Sequence, residues 1–379
     1  MIICRMILLY TFINDMNNPD RSNSNEAPAV LMRVDACKEM ALGHLKRCVS
    51  LAIKLREKGV PVVFLTAGDG FSETLLRGLG FRYEILGSDI NSANDYNSAI
   101  RTAEEYNAKI IVIDSYEIDD AYRSRLMSCG YFVVSIDDNA DRDLSSHVIA
   151  NGNLKAEDLS YPVVDGVSKY AGIKYLILGP EFWNPEAISD TENVHNVLIT
   201  MGGIDHYDLT SKVLSILDGM DSDFDITVII GPYYDNKKSI CRQVGAMKKK
   251  VELVTSPTSL YPYMKRCAMA FSAGGQTLYE LSVLGRPTIG ITLWENQAGN
   301  VNELSKMSAI YGIVYSASEE FDAMLSENAS RLIHDMSERK RISRIASSIV
   351  DGQGAERTYN AILESYREWV SLRKYKEIT

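Results

Sequence analysis

The chain has 379 residues, more than one hydrophobic core usually supports, so two domains are expected. Its composition, 46% hydrophobic and 24% charged, is that of a globular protein, and its formal net charge is −10. That acidity argues against a general nucleic-acid or anionic-membrane binder, which needs a basic surface, so an anionic ligand must be held by a local site. The first stretch, Met1 to Ile13, is apolar but too short to span a bilayer, and no small-residue cleavage site follows it. With the polar run Asn14 to Glu26 it reads as an N-terminal extension, residues 1–28, and no stable membrane insertion is expected.

From Ala29 the chain alternates short β-branched runs with helix-length amphipathic stretches. Val30–Val34, Val60–Leu65, Ile110–Ile113 and Phe132–Ile136 read as strands, with helices such as Leu45–Lys58 and Ala93–Asn107 between them. A polar segment, Pro185 to Asn196, interrupts the pattern. It then restarts with Val197–Met201, Ile226–Ile230, Val251–Val254, Met269–Phe271, Thr288–Ile291 and Ile310–Val314, and ends in a long helix over Ala355 to Lys374. Such alternation predicts an α/β protein of two doubly wound, Rossmann-like halves, residues 29–190 and 191–379, the second including the terminal helix. The six cysteines (Cys4, Cys37, Cys48, Cys129, Cys241, Cys267) show no CxxC pair and no zinc spacing. They read as reduced thiols of a cytoplasmic protein, and no metal or cofactor is assigned.

The glycines carry the functional argument. With a strand order of 3-2-1-4-5-6 in each half, strands 1 and 4 are neighbours, and ligands bind beyond their carboxyl ends. In the first half those ends are Asp35-Ala36-Cys37, running to Leu42-Gly43-His44, and Asp114-Ser115-Tyr116. In the second they are Met201-Gly202-Gly203-Ile204-Asp205 and Ser272-Ala273-Gly274-Gly275-Gln276-Thr277. Gly274-Gly275 precedes a helix, so a phosphate can approach free backbone amides there, with Gly202-Gly203 facing it and Glu280 in reach of a ribose. No GK[ST] follows either pair, which argues against NTP hydrolysis. Paired glycines also make plain tight turns, and that alternative stays open. His44, at the start of a helix, is the candidate general base; Arg47, on the same helix face, is placed to neutralise a diphosphate. A helix-capping histidine and a solvated arginine would look the same in sequence. Asp137-Asp138 with Asp141 and Asp143 reads as an acidic turn rather than a metal cluster.

Several of these segments together resemble one family. Met32-Arg33-Val34-Asp35-Ala36, Gly43-His44-Leu45-Lys46-Arg47-Cys48, Ile113-Asp114-Ser115-Tyr116, Met201-Gly202-Gly203-Ile204-Asp205, Ser272-Ala273-Gly274-Gly275-Gln276-Thr277 with Tyr279-Glu280-Leu281, and Glu295-Asn296-Gln297 look like the UDP-sugar hydrolase of pseudaminic acid biosynthesis. That group also takes in spore-coat polysaccharide proteins and is similar to the GT-B glycosyltransferase that makes lipid II. The resemblance implies a GT-B fold, two Rossmann-like domains facing across a cleft. It implies hydrolysis of a UDP-linked 2,4-diacetamido-2,4,6-trideoxy sugar without a metal, with His44 as general base. Asp35, Gly43, Arg47, Tyr116, Asn296 and Gln297 would line the sugar site; Gly202, Gly203, Ser272, Gly274, Gly275, Gln276, Thr277 and Glu280 would hold UDP. Enzymes of nonulosonic acid biosynthesis would be its pathway partners. The chain departs from the family pattern at Met40-Ala41 and at His206. A glycosyltransferase, a UDP-sugar 2-epimerase and a non-catalytic nucleotide-sugar-binding subunit remain as alternatives.

Overall fold

The computed structural model describes residues 28–36, 43–68, 70–87, 90–161, 166–185 and 194–378. The N-terminal extension up to residue 27, the Met40-Ala41 departure and the expected boundary at residue 190 lie outside the described residues. The first half runs β1 (Ala29–Ala36), α1 (Gly43–Glu57), β2 (Val62–Gly68), α2 (Gly70–Gly78), β3 (Arg82–Leu86), α3 (Ala93–Glu105), β4 (Ala108–Asp114), α4 (Asp120–Ser128), β5 (Phe132–Ile136), β6 (Val148–Asn151) and β7 (Ser168–Ala171). Its strands form one parallel sheet in the order β3-β2-β1-β4-β5-β6-β7.

The second half runs β8 (Asn196–Thr200), α5 (Leu209–Asp218), β9 (Asp225–Ile230), α6 (Lys237–Ala246), β10 (Val251–Thr255), α7 (Tyr261–Arg266), β11 (Met269–Ala273), α8 (Thr277–Val283), β12 (Thr288–Thr292), α9 (Glu295–Lys306), β13 (Tyr311–Val314), α10 (Glu319–His334), α11 (Met336–Ile349) and α12 (Gly354–Ile378). Its parallel sheet has the order β10-β9-β8-β11-β12-β13. Both orders are those of a doubly wound sheet, so β1/β4 and β8/β11 are the switch points.

Each sheet is buried on both faces, which is why its strands read as continuous apolar runs. In β1 the alternation sends Val30, Met32 and Val34 to one face, against Leu45, Leu51 and Leu55 of α1, and Leu31 to the other, against α3 and α4. In β8 Val197 and Ile199 pack with α5 and α10, while Leu198 packs with α8, α9 and α11.

The terminal helix corrects an expectation. The sequence groups it with the second half, but α12 buries Ala355, Ile362 and Leu363 in the core of the first, beside α1, and Trp369 packs on Phe132 and His147. Amphipathic spacing identifies which residues of a helix are buried, not which sheet they meet. The chain crosses back beside the segment that joins the halves. There a Cβ on Gly354 would lie 1.9 Å from the Leu176 carbonyl oxygen, so only glycine fits.

Ile362 is fully buried. Ile362→Ala is expected to cost about 2–5 kcal/mol by chemical denaturation, the usual price of such a cavity. Amide exchange should rise in α1 and β1 and leave β8 to β12 unchanged; the reverse pattern would reassign the helix.

Candidate functional site

Three residues on one face of α1 converge on a single carboxylate. His44, Arg47 and Cys48 stand at spacings of three and four, which aligns them along one stripe of the helix. All three meet Asp114, the last residue of β4 and fully buried. His44 Nδ1 lies 2.5 Å from Asp114 Oδ1, Arg47 Nε and Nη2 donate to its two oxygens at 2.6 Å each, and the Cys48 thiol donates at 3.4 Å. Arg47 Nη1 and Nη2 also donate to Asp138, at 2.7 and 2.9 Å. Burial works against charge on Asp114, but Arg47 and then His44 outweigh it and hold its carboxyl well below the usual carboxylate range.

An ionised Asp114 is an acceptor only, so the His44 Nδ1–H donates to it, and Nε2 is the ring nitrogen left for chemistry. The ring is further fixed by an edge contact with Tyr116, 4.6 Å between centroids. Tyr116 donates to Asp138 at 2.6 Å, while Asn153 donates to the same carboxylate at 3.2 Å. Partial burial and the Asp138 charge push the Tyr116 phenol well above its usual range, so it serves as a donor, not a base.

Two of the expected substrate ligands are engaged elsewhere. Every nitrogen of the Arg47 guanidinium is committed to Asp114 or Asp138, so Arg47 shapes the site rather than neutralising a diphosphate. Asp35 is buried and accepts from Arg33 Nη1 at 2.5 Å. Arg33 in turn donates to Asp95 at 2.9 and 2.6 Å, and Tyr122 donates to Asp95 at 2.9 Å. Arg33 and Asp35 sit two apart on β1 and share one face, which makes this a buried ion cluster beneath the switch point. Among the described residues the second Asp35 oxygen has no partner. Gly43 opens α1, next to His44, with open space where a Cβ would stand.

The acidic turn after β5 joins the site. Asp138 is the second anchor of Arg47, and Asp137 accepts from the backbone of Asn139 and Ala140 and from Tyr161 at 2.8 Å. Sequence reasoning singled out neither Asp114 nor Asp138 for a role. The available signal was their place at the ends of β4 and β5, opposite a helix face carrying His and Arg. Among the described residues no group of three His, Cys, Asp or Glu side chains is placed to hold a metal ion.

At the second switch point the glycines divide into packing and open positions. A Cβ on Gly274 would come within 2.6 Å of Val301 and 2.9 Å of Gln297 Cβ, so Gly274 lets α9 approach the loop. Gly275 meets nothing within 4 Å and faces open space. Gly202 has φ of +81° and open space beside it, while Gly231, which sequence reasoning missed, packs so closely that a Cβ would strike the Gly202 and Gly203 carbonyls. Asp205 fixes the same loop by accepting from the Leu209 and Thr210 amides.

The remaining expected UDP ligands differ in their surroundings. Ser272 is fully buried within β11 and donates to the Ala273 carbonyl, so its hydroxyl does not line an open surface. Gln276 donates to the Ile177 carbonyl at 3.3 Å, and Gln297 accepts from the Leu293 amide at 3.0 Å. Thr277 opens α8 and is partly exposed. The Asn296 side chain lies outside the described residues. Burial pushes Glu280 up to about 7, against the pull of Lys46 and helped by Glu181. Lys46 belongs to α1 of the first half, and a Lys155–Glu303 ion pair at 2.8 Å links the two halves directly.

With this geometry in place, comparisons with known proteins are informative. No family model matches the chain. It is 26% identical over 274 residues, 69% of its length, to an uncharacterised protein of Methanocaldococcus jannaschii. It is 24% identical over 229 residues, 60% of its length, to the spore coat polysaccharide biosynthesis protein SpsG of Bacillus subtilis. The matched stretches span 55% and 63% of those relatives' own lengths. Among solved structures, MurG of Acinetobacter baumannii superimposes with a TM-score of 0.68 at 12% identity, covering 89% of this chain and 100% of that one. MnaA of S. aureus in complex with UDP superimposes at 0.62 and 9% identity, covering 89% and 97%. The chain has the GT-B fold. In the GT-B frame the His44–Asp114 pair stands on one half of the molecule and the open glycine loops on the other. No helix of the described residues is long and apolar enough to cross a membrane.

Asp114→Asn should cost about 3–5 kcal/mol at pH 7, because it leaves buried Arg47 and His44 with a neutral partner. The folded-state value of Asp114 is depressed, so its stabilising contribution is complete above the ordinary carboxylate pKa and lost as pH falls through and below it. Denaturation curves should therefore converge for wild type and variant as pH drops from 4 toward 2, by the same linkage. A difference that stays constant over that range would contradict the charge state assigned here.

Proposed function

We propose that this protein hydrolyses a UDP-linked 2,4-diacetamido-2,4,6-trideoxy sugar to UDP and the free sugar. The observation that carries the reading is the His44–Asp114 pair: an imidazole whose Nδ1 is held by a buried carboxylate, with Nε2 left to take a proton. The GT-B fold, the likeness of SpsG to this chain and the presence of UDP on the same fold in MnaA support a nucleotide-sugar substrate.

UDP sits on the second half. Its phosphates lie over Gly202-Gly203 and Gly275, where there is room beside the backbone, and the donors are loop amides, since those of Leu278, Tyr279 and Glu280 already bond the Gly275 and Gln276 carbonyls. With only seven residues, α8 contributes a small dipole, so the amides themselves do most of this binding. Glu280 accepts from the ribose hydroxyls in its ionised form. Water then attacks the anomeric carbon from the face opposite UDP. The new C–O bond forms as the bond from C1 to the β-phosphate oxygen breaks, and that oxygen keeps the electron pair. The water proton passes to His44 Nε2, and Asp114 stabilises the imidazolium that results. One displacement of this kind inverts the anomeric configuration.

A second reading replaces water with an acceptor hydroxyl, as in the glycosyltransferases that share the fold. The same base serves both.

Purified protein should release UDP from the diacetamido donor in buffer alone, in amounts equal to the free sugar formed. Release only when an acceptor is added would establish the transferase instead. His44→Ala is expected to slow turnover by about 10²–10⁴-fold with UDP affinity nearly unchanged, since a general base acts on rate rather than on nucleotide binding. Near-full activity in that variant would place the base elsewhere.

A further inference from the structure

A ladder of aromatic rings rises out of the second half beside the open glycine loops. Phe321, buried at the start of α10, meets Tyr315 edge-on at 5.3 Å, and Tyr315 stacks at a tilt on Tyr207, 4.3 Å away. Tyr207 contacts Trp294 at 5.8 Å, and His206 contacts both. The ladder ends in the open, with Trp294 48% exposed, and Ile204 beside the same loop equally so. Leaving an indole in water forfeits its burial energy, yet the backbone that presents this one is fixed. Its carbonyl accepts from the Gln297 amide at 2.9 Å, and the amide of Leu293 before it donates to Gln297 Oε1 at 3.0 Å.

The position of Trp294 identifies an occupant. His206 and Tyr207 follow Gly202-Gly203 on the same loop. Trp294 caps α9, whose first turn carries Gln297, and Gln297 packs directly on Gly274. The indole therefore stands beside both glycine loops, in contact with the residues that follow Gly203 and three positions before the one that packs on Gly274. Glu280 belongs to α8, which covers one face of the sheet, whereas the base of the aromatic ladder, Phe321 and Tyr315, packs on the α5 and α10 face. A nucleotide sugar that gives its ribose to Glu280 and its diphosphate to the glycine loops has its sugar at the Trp294 end.

We infer that Trp294, backed by Tyr207 and His206, is a stacking platform that selects an apolar hexose, resting on the nucleotide-sugar reading given above. A hexose with two acetamido groups and a methyl in place of a hydroxymethyl exposes three methyl groups and a face of C–H bonds. Such a surface gains from an indole, where a fully hydroxylated sugar would lose hydrogen bonds to water. Trp294 is thus a specificity-determining residue and takes no part in proton transfer.

The test is binding, so it stands apart from turnover. Of the three tryptophans, Trp183 is buried and Trp369 is packed on Phe132, so exposed Trp294 dominates any ligand-dependent change in emission. In a His44→Ala background, the UDP-diacetamido sugar should shift tryptophan emission and UDP alone should not. Trp294→Ala should abolish the shift and weaken calorimetric affinity for that donor about tenfold, with UDP affinity held within about twofold, as expected for one aromatic contact. Trp294→Phe should recover most of the loss. An equal shift with UDP, or unchanged donor affinity in Trp294→Ala, would overturn the inference. Donor that binds to Trp294 but is never turned over by the wild-type protein would sink the hydrolase reading and leave this one standing.

Discussion

One buried carboxylate organises the first half of this molecule. Asp114 ends β4 at the switch point, out of reach of water, and an unpaired charge there would be prohibitive. The α1 face repays it with a guanidinium, an imidazole and a thiol on one stripe. The same bonds that neutralise Asp114 also aim His44, and so stability and reactivity rest on a single set of contacts. Arg47 carries the constraint outward to Asp138, and Asp138 carries it to Tyr116, whose ring closes against His44. Removing Arg47 strips both buried carboxylates of their cation, and removing Asp114 leaves the imidazole without its anchor.

The second half solves a different problem. On the proposed function it offers an anionic ligand a surface without becoming basic, since the chain carries a net charge of −10. Open backbone at Gly202 and Gly275 does that with amides rather than with lysines. Glycines at Gly231 and Gly274 act one layer below, as clearances that let neighbouring backbone and α9 come close. The Gly274-Gly275 pair therefore mixes a structural position with an open one, and composition alone does not separate the two.

The fold was legible in the sequence because doubly wound sheets announce themselves: both faces are covered, so strands are unbroken apolar runs with helices between. The switch-point loops followed from the strand order, and His44, Gly202 and Gly275 could be picked out there. What the sequence could not supply was pairing at a distance. Asp114 and Arg47 are separated by 67 residues and Arg47 and Asp138 by 91, so Arg47 looked like a free cation for a diphosphate. Asp35 also looked available, although Arg33, two residues away on the same face of β1, already held it. The terminal helix was placed on the wrong half because periodicity reports burial without naming a partner. The aromatic ladder was invisible because its rings come from three separate loops and the start of α10.

The proposed chemistry requires His44 and Asp114 to act as a unit. The most direct measurement is a double-mutant cycle on the hydrolysis rate with His44→Ala, Asp114→Asn and the pair together. If Asp114 works only by orienting and charging His44, the double variant should be about as slow as His44→Ala alone, because the carboxylate has nothing left to act on. Losses that multiply in the double variant would contradict the account and show that Asp114 contributes by a route of its own.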